Sequence, residues 1–134
     1  MALANQHGIV VNDVPGNTIG GVPPALRNVI SGNREMGILM FGENATGNIG
    51  QGNYIGTNAA GDAAVGNGTT GILLFKSATI IGGTMAGAGN VISGNGFAGI
   101  DLGDSAERTI IQGNYIGTDL TGSVAIGNDL GMFV

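Results

Sequence analysis

The chain repeats itself, and that repeat limits its fold more than any other feature. Asn28-Val29-Ile30-Ser31-Gly32-Asn33 returns as Asn90-Val91-Ile92-Ser93-Gly94-Asn95, 62 residues on. Gln51-Gly52-Asn53-Tyr54-Ile55-Gly56-Thr57 returns as Gln112-Gly113-Asn114-Tyr115-Ile116-Gly117-Thr118, 61 residues on. Each long unit divides in two, because a glycine and three mostly apolar residues open every half. These tetrads are Gly8-Ile9-Val10-Val11, Gly37-Ile38-Leu39-Met40, Gly71-Ile72-Leu73-Leu74, Gly99-Ile100-Asp101-Leu102 and Gly131-Met132-Phe133-Val134.

Every half holds three short β-like runs: the tetrad (a), a run around Ile19, Ile49, Ile81 and Ile111 (b), and a run starting at Asn28, Asn53, Asn90 and Asn114 (c). Gly, Asn, Asp, Pro and Ser fill the gaps, as turns require. The chain has 28 Gly in 134 residues. Each would weaken a helix by about 1 kcal/mol, and no window carries a 3.6-residue period apart from a fragment at 2–6. Equivalent residues that recur once per turn are what stacked coils need, since each coil lies about 4.8 Å from the last. The predicted fold is all-β: a right-handed, single-stranded parallel β-helix of about four coils with three short strands per coil. It forms a single domain over 1–134, built from two tandem units, 8–70 and 71–134. Asn28, Asn53, Asn90 and Asn114 form one column, and Ile30, Ile55, Ile92 and Ile116 form an inward one. Stacked side-chain amides can bond up and down such a column.

The runs at 90–95 and 112–119 resemble the parallel β-helix repeats of large bacterial surface and secreted proteins, an architecture shared with the pectin-lyase-like superfamily. The resemblance covers nearly all of 8–134. It implies a right-handed β-helix, an extracellular or cell-surface location for the parent protein, and a function that the fold alone does not fix. Polysaccharide lyases, hydrolases, tailspikes and adhesins share the architecture. The hydrolase motifs of that group (Asn-x-Asp, Asp-Asp, Gly-His-Gly, Arg-x-Lys) do not occur, and the one histidine, His7, lies outside the repeats.

Composition narrows the rest. The chain has 4 basic and 9 acidic residues, a net charge of −5 and no Cys. So weakly basic a chain offers no phosphate-tracking surface for nucleic acid. It has no disulfide framework or thiolate metal site. No apolar run approaches the roughly 20 residues of a membrane span, and the first residues lack the pattern of a signal peptide. No cofactor and no metal are expected; Asp101 and Asp104 are the nearest approach to a cation site.

The best catalytic candidates are Glu43, Lys76 and Asp104, which follow strand a at nearly one offset on adjacent coils. Carboxylates about 5 Å apart suit retaining glycoside hydrolysis, whereas the plainer reading is a solvated ladder of charge. Tyr54 and Tyr115 recur at an outward position of strand c and suit stacking on a sugar of a cell-surface polysaccharide. Strand alternation turns Val10, Leu39, Leu73, Asp101 and Phe133 outward, with Phe41 and Phe75 beyond them. That apolar row is either covered by the long corners at 58–70 and 119–130 or is a contact face. Neither end shows a polar cap, and both fall on strand a, so homo-oligomerisation or end-to-end stacking is expected. The favoured expectation is a non-catalytic structural or adhesive segment. A polysaccharide lyase or glycoside hydrolase and a carbohydrate-binding module are the alternatives.

Overall fold

A computed structural model of the protein describes residues 3–134. Four coils stack into a parallel β-solenoid. The first coil holds β1 (Ile9–Asn12), β2 (Thr18–Gly20) and β3 (Val29–Ile30), and the second β4 (Ile38–Phe41), β5 (Thr46–Gln51) and β6 (Tyr54–Ile55). The third holds β7 (Ile72–Phe75), β8 (Ala78–Gly82) and β9 (Val91–Ile92), and the fourth β10 (Ala98–Leu102), β11 (Ile110–Gln112) and β12 (Tyr115–Ile116). A last strand, β13 (Leu130–Phe133), starts a further coil. Three parallel sheets run along the stack, in the orders β1-β4-β7-β10-β13, β2-β5-β8-β11 and β3-β6-β9-β12. Residues 3–6 are not helical and Ala2 lies outside the described residues; the helix present is a single 3-10 turn at Pro24–Leu26.

Alternation along each strand makes the core. Ile38, Ile72 and Ile100 pair in register and are fully buried, as are Met40 and Leu74 two residues on. Ile55 and Ile92, paired in the third sheet, close the interior from another side. Burying such side chains stabilises the fold by about 1.5–3 kcal/mol each. The glycine that opens each of the first four tetrads is required by space. A Cβ at Gly37 would stand 2.7 Å from the Gly71 carbonyl oxygen, and one at Gly71 at 2.7 Å from that of Gly99.

The asparagine column is present. The backbone N–H and Nδ2 of Asn28 both donate to Asn53 Oδ1, at 3.2 and 3.0 Å. Asn53 donates likewise to Asn90, and Asn90 to Asn114. The second Nδ2 hydrogen of Asn53, Asn90 and Asn114 reaches the carbonyls of Ile19, Gly50 and Ile81, at 2.9 Å each. Every buried amide of the column is thereby satisfied, so a polar column costs the core little.

Run b departs from expectation. Ile19 and Ile81 pair with Gly50, and Ile49 pairs with Thr18 and Ile80. The cause is one extra residue: β5 slips register between Thr46 and Asn48, leaving Gly47 as a bulge at φ 66°. Everything after the bulge shifts by one and turns to the other face. Gly50 therefore faces the interior, with Ile81 Cδ1 3.3 Å from where a Cβ would stand.

Candidate functional site

Two surface depressions collect the side chains with chemical potential. The first lies at the corner between the first and second sheets, where the chain turns at positive φ: Asp13 at 56° and Lys76 at 50°. Glu43 and Lys76 line a depression of about 420 Å³ together with Glu107, Arg108, Thr46 and Ser105. Asp104 is not part of that lining; its carbonyl oxygen instead accepts the Lys76 backbone N–H at 3.0 Å. Thus Glu43 and Lys76 come together as the offset count suggests, with Asp104 behind them. Glu107 and Arg108 were missed. Their signal is the stretch between Leu102 and Ile110, which is longer than the corresponding corner after Phe75.

Two carboxylates and two cations share this depression, but no ion pair within 4 Å joins them; among the described residues the one such contact is His7 with Glu35, at 3.7 Å. No group of three His, Cys, Asp or Glu converges to hold a metal among the described residues. The Asn44 backbone N–H and then its side chain hold Asp13 below the usual carboxylate range. The Thr121 hydroxyl, helped by the N–H groups of Val124, Ser123 and Thr121, does the same for Asp119. Burial pushes Asp101 up.

The second depression is a groove of about 450 Å³ across the outer face of the third sheet. Its floor is the row Tyr54–Val91–Tyr115, in register across β6, β9 and β12. The two tyrosines are not equivalent. Tyr54 is 6% exposed, whereas Tyr115 is 46% exposed. The Arg27 guanidinium sits 4.1 Å above the centre of the Tyr54 ring, and its Nε donates to the Gly52 carbonyl at 3.0 Å. Gly61 packs on the Tyr54 ring, and Gly122 packs on that of Tyr115.

These contacts also show where the long corners go. Residues after Thr57 and after Thr118 fold back in antiparallel bridges, Thr57 to Ala64 and Thr118 to Ala125, and Leu120 donates its N–H to Gly61. They lie against the tyrosine face rather than against the first sheet. The outward row of the first sheet is Val10–Leu39–Leu73–Asp101–Phe133 in register, with Phe41 paired to Phe75 beside it. Val10, Phe75 and Phe133 are exposed; Leu39, Leu73 and Phe41 are half-buried. Phe133 also packs against Phe97, ring centres 5.7 Å apart.

A second asparagine ladder was missed. Asn33, Asn67, Asn95 and Asn128 bond in the same way just before the first sheet. The signal was legible: a Gly-Asn pair stands three or four residues before each tetrad glycine from Gly37 onward. No family model, no curated protein and no solved structure matches this chain.

Proposed function

We propose that the protein is a structural, adhesive segment of an extracellular bacterial surface protein of pectin-lyase-like architecture, and that it works by stacking coil on coil. The observation that carries this reading is the bonding between coils: Asn28, Asn53 and Asn90 each donate onto the asparagine of the next coil. Met132 continues the core column of Ile38, Ile72 and Ile100, yet it is 45% exposed. Asn114 and Asn128 likewise end two ladders whose rule is to donate onto the next asparagine. At the other edge, Asn28 donates onward, and its own Oδ1 accepts no hydrogen bond among the described residues. A second copy docked on the last coil would continue the first sheet from β13 to its own β1 and bury Met132.

The apolar row of the first sheet supplies a lateral face for the adhesive part of this role. Light scattering after size exclusion, over a hundredfold range of concentration, tests the stacking. The chain is expected to gain mass with concentration, and Met132→Lys is expected to stay at 13.2 kDa because it places a charge in the column a new coil must bury. A parent chain that is a single copy throughout, or a Met132→Lys chain that associates like the parent, overturns the reading.

A further inference from the structure

The two tandem units differ at one point of the tyrosine groove, and that difference points outward. In the first unit, Arg27 precedes the ladder residue Asn28 and covers Tyr54, while Gly52 accepts its Nε hydrogen. In the second unit, Tyr115 and Gly113 stand as Tyr54 and Gly52 do, but the residue preceding the ladder Asn90 is Gly89. The cation is missing, and what it would hold is left open. Tyr115, on the outermost strand of its sheet, is 46% exposed against 6% for Tyr54 on an inner one. The Gly113 carbonyl oxygen accepts no hydrogen bond among the described residues. Gly89, Gly113 and Tyr115 all line the groove. The corner at 83–89 of the third coil forms the wall of the groove beside Tyr115.

We propose that this half of the groove receives the guanidinium of an arginine carried by a partner polypeptide. The chain cannot supply the group itself at the equivalent position, because a Cβ at Gly89 would collide with the Gly113 oxygen. The first unit shows what the site holds: a planar cation over the ring and a hydrogen bond to the carbonyl beside it, a pairing that suits arginine better than lysine. The chain carries a net charge of −5 and draws cations. Arg27 is the one charged residue lining the groove. Tyr54 and Tyr115 are two strand spacings apart, about 10 Å, roughly a Debye length at 0.1 M salt, so Arg27 opposes a second guanidinium only weakly. The groove of about 450 Å³ is larger than one guanidinium, and Met85 and Leu120, both exposed, offer apolar wall to the residues flanking the arginine. With Tyr54 sealed, a sugar would find one open ring rather than two.

The test is an NMR titration of the two tyrosine rings with a blocked leucine–arginine–leucine tripeptide. Its counterpart with citrulline, neutral and nearly isosteric, and methyl glucoside serve as comparisons. The arginine peptide is expected to shift the Tyr115 ring saturably and leave the Tyr54 ring unmoved. The citrulline peptide is expected to bind about two- to fivefold more weakly. Tyr115→Leu should lose the response, Tyr115→Phe should keep it, and Arg27→Ala should open the Tyr54 copy to the same peptide. The proposal is overturned by a Tyr115 ring that does not respond, by equal binding of the citrulline peptide, by a response to methyl glucoside in place of the peptide, or by an Arg27→Ala chain whose Tyr54 ring stays silent.

Discussion

Ser77 is 3% exposed, and its Oγ has no hydrogen-bond partner. One residue before the Thr46–Ala78 pair, it stands beside Ala45 of the coil below, which is fully buried. A buried hydroxyl without a partner costs about 1–3 kcal/mol. Ser77→Ala is therefore expected to raise the urea midpoint, by about 1 kcal/mol of stability, with the same slope. Asp101 is the other misfit, an acid in an otherwise apolar row between Leu73 and Phe133. Burial raises its pKa, so ionising it works against the fold. Its contribution is most favourable below the unfolded value near ~3.9 and falls as pH rises through the raised folded value. Asp13 and Asp119 act in the opposite sense, stabilising above the unfolded value and losing that as pH falls through their lowered folded values. Asp101→Asn should thus be more stable than the parent at pH 7 and lose that advantage in acid, read from urea midpoints at both pH values. Periodicity places Asp101 in that row, but only packing reveals what its burial costs, as it does for Ser77.

The three strands of a coil were legible to different degrees, for physical reasons. Strands β3, β6, β9 and β12 begin at an asparagine that must meet its neighbours through both amide groups, so one residue type marks the register. Strands β1, β4 and β7 follow a glycine, and β10 contains one in Gly99, that the next coil's carbonyl leaves no room to replace. Strand β5 has no such marker, and a single bulge at Gly47 moved its inward residue from Ile49 to Gly50. The corner acids were half legible: an offset count finds Glu43 beside Lys76, but Glu107 and Arg108 come from an irregular corner outside the repeat. Two glycines make the role of space testable. Gly71→Ala puts a methyl 2.7 Å from a backbone oxygen, 2.8 Å from Asn95 Nδ2 and 2.9 Å from Ile92 Cγ2. It should cost about 3 kcal/mol or more. A Cβ at Gly127 meets nothing within 4 Å, so Gly127→Ala should leave the thermal midpoint within the ordinary scatter of surface changes, about 0.5 kcal/mol.

As a whole the molecule is a stack in which nearest neighbours supply the cohesion, and its stability grows with the number of coils. Ladders of asparagine and columns of isoleucine, leucine and methionine run through it from coil to coil. The stack exposes 6500 Å², about what a globular protein of its mass exposes, and 4 basic with 9 acidic residues cover little of it. The most direct test of coil-on-coil stacking is small-angle X-ray scattering over a concentration series, read as cross-section and length. Growth is predicted along the axis alone, by about 24 Å per added copy for the five strands of the first sheet at the strand spacing, with the cross-section unchanged. A cross-section that doubles as mass grows, or a particle that stays one copy long at every concentration, would contradict it.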